Sequence, residues 1–332
     1  MKFIITIDTE SGNQWGKDED LNNDNLRYLP RFQELCEKYN FIPTYLVTYE
    51  VAIDRYAIDL LGKWQKKGKA EIGAHLHPWT NPPYISNQKE KYHIYPSELT
   101  NEEFHLKLFT LTEVIAKNFG QRPTSYRAGR WGFDSKQVNS LVELGYIVDC
   151  SVTPKISWQR DLGNPKGQGG PDFRLAPVAP YSISKDNIII PGQSDLLEAP
   201  VTILFTGPFK KENSFLARKF LAMEEGLLKN ILNRLFFRQK WLRIFPNSQE
   251  KDWQKIFLTA GLLNLPMLEF MVHSSELMPG GTPYFKTKEE VERLYFQLEK
   301  MFEYFKSQGI EGCALSEFAE QIIFKNNHGK TI

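Results

Sequence analysis

The sequence predicts an α/β fold built around a parallel β-sheet. Short apolar runs with strand character, at residues 3–7, 44–48 and 72–76, alternate with longer amphipathic segments of helical period. This order of strand, helix, strand, helix and strand gives parallel neighbours joined by right-handed crossovers. A chain of 332 residues is long enough for one large α/β domain or two smaller ones.

The later elements continue the same alternation. Gly68, Gly120 and Pro123 stand where helices are expected to stop. Pro30 lies near the start of the first helix or at a kink in it. The predicted helices cover residues 22–39, 58–67, 101–119, 135–144, 289–308 and 315–323. The remaining predicted strands cover residues 124–127, 146–149 and 267–272.

Residues from about 155 to 265 differ from the rest of the chain. Gly, Pro, Ser and Asp dominate the first part, with strand-like pieces at 188–190 and 196–201. Residues 209–245 are predicted to be a helical insertion in which nine basic residues outnumber three acidic ones. Its apolar residues either face the core, as in an amphipathic pair of helices, or form a lid or membrane-surface patch facing anionic lipid. We interpret 155–265 as an elaboration beside the sheet.

The composition of the chain indicates which partners and which cellular compartment to expect. A formal net charge of +1 gives no argument for nucleic-acid binding, and we expect none. Three widely spaced cysteines suit a reducing compartment better than a disulfide framework. Residues 1–8 lack signal-peptide architecture, and no apolar run is long enough to span a bilayer. We therefore expect a cytoplasmic protein. Peripheral contact at the inner membrane face through residues 209–245 is the alternative that a membrane-surface patch would add to this expectation.

Carboxylates and imidazoles follow two of the predicted strands. Asp8 and Glu10 stand at the end of the first strand, and His75 and His77 at the end of the third. Because side chains alternate along a strand, each pair points to one side. Two adjacent imidazoles are a usual way to hold a divalent metal. The alternative is that both histidines lie in a loop and bond to backbone.

Three later strands also end in polar residues. Arg127, Asp149 and His273 follow them, and Asp149 is a candidate partner for an arginine or a histidine. Arg127 and Arg130 flank small residues in a tight loop; the alternative is that both are ordinary surface residues. Carboxyl ends of parallel strands meet at one edge of a sheet, so we expect all these groups to converge. Together they supply a metal site, a free carboxylate and a separate histidine, the parts for metal-assisted hydrolysis with a base and an acid.

Four motifs, taken in order, resemble those of the polysaccharide deacetylases, the NodB-type carbohydrate esterases, and most closely their WalW-like branch. The motifs are TIDTE at 6–10, EIGAHLHPW at 71–79, YRAGRWG at 126–132 and MVHS at 271–274. The resemblance spans residues 3 to about 318 and is weak over the insertion from about 155 to 265. It implies a distorted (β/α) barrel of about seven strands in a single domain of residues 1–332. It also implies metal-dependent removal of an N- or O-acyl group from a sugar, as part of a polysaccharide or a lipid-linked glycan.

The resemblance assigns roles to the residues that match these motifs. Asp8 matches the general base, Arg127 the arginine that orients it, and His273 the general acid. Glu10 and His75 match metal ligands. The family's second metal histidine falls four residues after the first.

In this chain that position is Trp79, and His77 is the nearby substitute, so the implied ligand set is Glu10, His75 and His77. We expect Zn²⁺, with Co²⁺, Mn²⁺ or Ni²⁺ as alternatives. Arg130, Trp79 and Trp131 are expected to contact the carbohydrate. Two other functions are considered: a metal-independent glycoside hydrolase that uses a carboxylate pair, and a catalytically inactive barrel that binds a glycan.

Overall fold

The computed structural model describes residues 1–12, 22–84, 92–212 and 214–328. Its strands are β1 (Lys2–Thr9), β2 (Pro43–Val47), β3 (Glu71–Leu76), β4 (Ser125–Ala128), β5 (Val148–Asp149), β6 (Tyr181–Ser182), β7 (Leu197–Glu198), β8 (Ile203–Phe205), β9 (Gln239–Trp241), β10 (Met267–His273) and β11 (Glu311–Gly312). Its α-helices are α1 (Leu29–Lys38), α2 (Tyr49–Ala52), α3 (Arg55–Lys66), α4 (Asn101–Phe119), α5 (Val138–Glu143), α6 (Phe215–Ala222), α7 (Leu227–Leu232), α8 (Glu250–Leu262), α9 (Lys288–Ser307) and α10 (Leu315–His328).

The central sheet is mostly parallel. Its strands lie in the order β10-β1-β2-β3-β4-β5-β7-β6, with β11 beside β1. Neighbours from β10 through β1 to β7 pair in parallel, and only β6 runs antiparallel, against β7. The parallel α/β fold predicted from the alternating pattern is confirmed.

Residues just before β8 join the two sides of this sheet. The Val201 N–H donates to the Val152 carbonyl at 3.0 Å, beyond the end of β5. The Thr202 N–H donates to the Glu269 carbonyl in β10 at 3.4 Å, and the Glu269 N–H donates to Thr202 Oγ1 at 2.8 Å. These bonds connect the last parallel strands to β10, so the sheet curls into a distorted barrel of about seven strands, as predicted.

Capping residues mark both ends of α4 and the start of α9. Thr100 and Glu103 form a capping box at the start of α4, and Gly120 in the left-handed conformation ends it. Thr287 and Glu290 cap α9 in the same way. Among the residues the structure describes, every helix is too short or too polar to cross a lipid bilayer.

Two local predictions are corrected by the structure. Residues 209–245 are only partly helical: a π-helical turn, Asn233–Phe237, follows α7, and β9 then pairs antiparallel with β8. Pairing with β8 overrides the helical character of that sequence. Residues 188–190 form a turn, because the Ile190 N–H bonds back to the Asn187 carbonyl at 3.1 Å.

Candidate active site

The ends of four strands bring the predicted polar residues to one place. Register pairs Asp8 of β1 with His273 of β10, and His75 of β3 with Arg127 of β4. All four strands are parallel, so their carboxyl ends lie on one side of the barrel. Asp8, His75 and Arg127 are almost entirely shielded from solvent, and His273 is mostly shielded.

Glu10, His75 and His77 form a compact cluster of metal-binding atoms. His77 Nε2 lies 3.0 Å from His75 Nε2 and 3.3 Å from Glu10 Oε2. His75 Nε2 lies 3.8 Å from the same carboxylate oxygen. Ligands about 2.0–2.1 Å from a tetrahedral ion are separated by roughly 3.4 Å. The three measured separations lie on either side of this value, so the positions of these residues fit a bound metal ion.

The hydrogen bonds of the histidines direct their Nε2 atoms toward one another. His75 Nδ1 donates to the Arg127 carbonyl at 3.0 Å, which leaves the lone pair on Nε2. Burial lowers the pKa of both His75 and His77, so both rings are neutral near pH 7. His77 Nδ1 is buried and has no hydrogen-bond partner among the described atoms. If His77 Nε2 also carries a lone pair, a cation between the two nitrogens removes their repulsion.

The charge around the cluster also favours a cation. Burial, followed by the charge of Asp8, raises the pKa of Glu10 well above its usual range. Glu50 and Glu276 add to the same effect. One carboxylate and two imidazoles are a common donor set for Zn²⁺ and similar ions.

Asp8 is held by a fully buried arginine. Arg127 Nη1 donates to Asp8 Oδ1 at 2.5 Å, and Nη2 donates to Glu269 Oε1 at 2.7 Å. Arg127 Nε donates to the Cys150 carbonyl at 3.0 Å. Burial alone would raise the pKa of Asp8, but Arg127 and the nearby histidines lower it to about 2. Asp8 is therefore ionised at neutral pH, with a fixed orientation.

His273 lies on the other side of Asp8. Its Nε2 is 3.7 Å from Asp8 Oδ2, and its Nδ1 is 2.9 Å from Glu276 Oε1. Arg243 Nη2 donates to the same Glu276 oxygen at 2.6 Å. Burial opposes ionisation of Glu276, but Arg243 and His273 lower its pKa overall. An ionised Glu276 accepts a hydrogen bond from the Nδ1–H group of His273, and this orientation directs Nε2 toward Asp8.

A buried lysine fixes the loop that follows His77. Lys107 of α4 donates three hydrogen bonds through Nζ, to the carbonyls of Pro78 at 3.0 Å, Asn81 at 2.5 Å and Pro83 at 2.8 Å. The His77 carbonyl accepts from the Asn81 N–H at 3.1 Å. The end of β3 that carries the candidate metal ligands is thus attached to α4 through one ammonium group.

A cavity adjoins the candidate acid. It has a volume of about 270 Å³, and Trp241, Arg243 and Trp253 are among the residues that line it. The indole N–H groups of both tryptophans and Nε of Arg243 are buried without a hydrogen-bond partner among the described atoms.

Comparisons with known proteins identify the fold. The sequence matches no protein-family model and no curated protein. A candidate polysaccharide deacetylase from Mycobacterium smegmatis matches with a TM-score of 0.55 at 14% identity, over 98% of this chain and 92% of that one. A candidate glycoside hydrolase/deacetylase from Parabacteroides distasonis matches with a TM-score of 0.59 at 16% identity, over 98% and 71%. The fold is that of the polysaccharide deacetylases.

The deacetylase fold is shared with another type of enzyme. Puue allantoinase matches with a TM-score of 0.50 at 16% identity, over 99% of this chain and 91% of that one. Function must therefore be argued from the site itself.

In this deacetylase fold, the residues predicted to contact carbohydrate already contact other protein groups. The Trp79 ring stacks on His77 and on His93, both with centroids 4.4 Å away. Trp131 is 9% exposed, and Cζ of the Arg127 guanidinium lies 5.0 Å from the centroid of the Trp131 ring. Arg130 forms an ion pair with Asp161 at 3.2 Å. Their contact with a substrate stays a prediction.

Four residues of the site are not predicted by the sequence pattern: Glu269, Glu276, Arg243 and Lys107. Glu269 had a detectable signal, because it is a single acidic residue inside the apolar strand β10. Arg243 lies in the insertion and reaches the site only through the β8–β9 pairing, which the local sequence does not indicate.

The predicted role of Asp149 is corrected. It accepts hydrogen bonds from Ser151, through the backbone N–H at 2.9 Å and the hydroxyl at 2.7 Å. Arg127 uses Asp8 and Glu269 as its ion-pair partners. Asp149 is instead paired in register with Glu198 of β7, and burial raises the pKa of both carboxyls.

Proposed function

We propose that this chain is a metal-dependent carbohydrate deacetylase of the polysaccharide deacetylase family, and that it removes an N- or O-acyl group from a sugar. The observation that carries the proposal is the position of Asp8. One of its oxygens accepts from Arg127, and the other lies 3.9 Å from His75 of the metal cluster and 3.7 Å from His273. A base, an acid and a metal site therefore surround one small volume.

Each residue has a role that follows from its contacts. A divalent ion held by Glu10, His75 and His77, with Zn²⁺ expected first, would supply positive charge that polarises an acyl carbonyl and acidifies water. Asp8 Oδ2 accepts a proton from the attacking water, while Arg127 holds Oδ1. His273 Nε2 donates a proton to the leaving nitrogen or oxygen.

Glu276 and Arg243 support the acid without touching the reacting atoms. Glu276 stabilises the protonated imidazole and keeps Nε2 directed at the site. Arg243 keeps Glu276 ionised.

Three observations favour a carbohydrate as the substrate. The fold is shared with proteins named as a polysaccharide deacetylase and a glycoside hydrolase/deacetylase. Trp79 and Trp131 lie beside the candidate catalytic groups, and tryptophan rings suit the apolar faces of sugars. A cavity of about 270 Å³ is lined by Arg243, which contacts Glu276 beside the candidate acid, and by Trp241, and such a lining suits a sugar ring.

Metal content and turnover test the proposal together. Plasma mass spectrometry on protein purified without an affinity metal should find about one metal ion per chain in the wild type and much less in His77→Ala. Asp8→Asn should retain its fold and metal but lose release of acetate from acetylated amino-sugar oligomers by more than about 10²-fold. His105→Ala, on an outer helix, is the matched histidine control.

Other outcomes would assign a different function. Glycosidic cleavage without metal would favour the glycoside hydrolase. No metal after reconstitution, no turnover and retained glycan binding would indicate an inactive binding protein. Full activity of Asp8→Asn would remove Asp8 from the mechanism.

A further inference from the structure

Helix α7 exposes an apolar face that no described part of the chain covers. Its sequence is Leu-Leu-Lys-Asn-Ile-Leu, yet none of its residues is buried. Leu227 is 78% exposed and Leu228 is 62% exposed. Leu227, Ile231 and Leu235 are spaced four apart, so they lie on one face that continues into the π-helical turn.

Neighbouring side chains enlarge this apolar surface. Phe209 and Phe236 stack on each other with centroids 5.3 Å apart, and both remain exposed. Phe215, at the start of α6, is 72% exposed. The insertion has its own small core, centred on Phe205, Phe220 and Phe237. The exposed residues are therefore not needed to fill that core, and exposed apolar patches of this kind commonly mark interaction sites.

The same segment carries an excess of positive charge. Its acidic residues are few, and two of the three are neutralised: Glu212 pairs with Lys155 at 2.8 Å and Glu225 pairs with Lys229 at 2.5 Å. Several basic side chains form no ion pair with any described residue: Lys210, Lys211, Arg218, Lys219, Arg234 and Arg238.

We propose that residues 209–238 bind the surface of anionic lipid membranes, with the Leu227, Ile231 and Leu235 face in the interface. Apolar residues beside lysines and arginines are the composition of interfacial helices on acidic lipid. A second copy of the chain would place like charges against each other. A nucleic acid would use the charges but leave the leucines exposed.

Membrane binding would place the active site near the lipid headgroups. From Arg238 the chain enters β9 and reaches Arg243, which bonds to Glu276 beside His273. Five extended residues span at most about 17 Å. The candidate acid therefore lies close to the membrane-binding segment. This inference concerns binding alone and does not depend on the proposed reaction.

Vesicle flotation tests the proposal directly. The full chain is mixed with vesicles of equal parts phosphatidylcholine and phosphatidylglycerol, or of phosphatidylcholine alone. We expect the protein to float with the acidic vesicles at low salt, with little binding to neutral ones, and to be released as salt increases. Leu227→Ser combined with Leu228→Ser should weaken binding by roughly tenfold or more. Lys219→Gln combined with Arg234→Gln should weaken it by roughly 25-fold, about fivefold per charge.

Matched control variants test whether the loss of lipid binding is specific to this surface or follows from changing any exposed leucine or lysine. Leu258 and Leu262 on α8 are 58% and 67% exposed, so changing both to serine should leave binding unchanged. Lys63→Gln combined with Lys66→Gln controls for charge. Circular dichroism melting checks that each variant is folded.

Absence of flotation at low salt, or equal flotation of the Leu227/Leu228 variant, would overturn the proposal. So would a dimer in analytical ultracentrifugation that the leucine variant abolishes while no lipid binds. Binding to a short DNA duplex that the leucine changes do not affect, again without lipid binding, would assign the surface to nucleic acid instead.

Discussion

Replacing Lys107 with methionine tests whether one ammonium group holds the metal-binding loop in place. Methionine keeps the length and the apolar stem of the side chain but removes all three N–H donors. The carbonyls of Pro78, Asn81 and Pro83 would lose this donor in a buried place. The loop they belong to carries the backbone bonds of His77, so the change should affect both stability and metal binding.

The size of the effect follows from these contacts. The buried carbonyls of Pro78 and Asn81 and the half-buried carbonyl of Pro83 cost at most roughly 3–9 kcal/mol when left unpaired, at about 1–3 kcal/mol each. Removing the ammonium also removes the cost of burying it, which offsets several kcal/mol. We therefore expect the free energy of unfolding to fall by about 2–4 kcal/mol. A loosened loop should weaken metal binding by about 10–100-fold, as is usual when groups supporting a ligand are removed.

Urea denaturation measures the first effect, and competition with a chromophoric chelator for Zn²⁺ measures the second. Lys117→Met is the control, because Lys117 lies on the same helix but is exposed. Lys107→Met with a stability within about 0.5 kcal/mol of the wild type and an unchanged metal affinity would refute the reasoning. It would mean that water replaces the ammonium without cost.

Two further predictions concern buried carboxyls. Glu276→Gln should lower kcat by about 10²-fold or more, with metal content unchanged, because His273 loses its charged partner. Steady-state kinetics and a pH–rate profile measure this effect. A pH–rate profile identical to that of the wild type would count against a positioning role for Glu276. Asp149 and Glu198 have pKa values raised in the folded state, so the native protein holds protons that the unfolded chain releases, and stability should fall as pH rises above about 4. Glu198→Gln should make that decline shallower between pH 5 and pH 8 in urea titrations, and an identical decline would contradict it.

The sequence contains enough information to predict that Glu10, His75 and His77 lie together, and to predict the core of the barrel. Asp8, His75 and His273 each end a strong apolar strand, and the edge of a parallel sheet brings such ends together. Helical period and the stop at Gly120 also predicted the approximate bounds of α4. These features depend on local pattern, so they can be found without knowing the pairing of distant elements.

The remaining parts of the site depend on long-range packing. Arg243 follows β9, and the three residues of β9 form a strand by pairing with β8. Glu276 lies in a short turn after β10, and its partners come from the insertion. Lys107 looks like one more lysine on an amphipathic helix until the loop carbonyls are placed around it. Local pattern alone cannot predict these contacts.

The pairing of β1 with β10 has a consequence for how the protein assembles. Thr6 bonds to Glu269, 263 residues further along the chain. The Arg127 guanidinium binds Asp8 and Glu269 together, 119 and 142 residues away. Loop-closure entropy makes such distant contacts slow to form, and until they form, the charges of the site lack their partners. During synthesis, the edge of β1 that pairs with β10 therefore stays unpaired until most of the chain has been made. An unpaired strand edge of this kind is a natural site for chaperone binding and for aggregation.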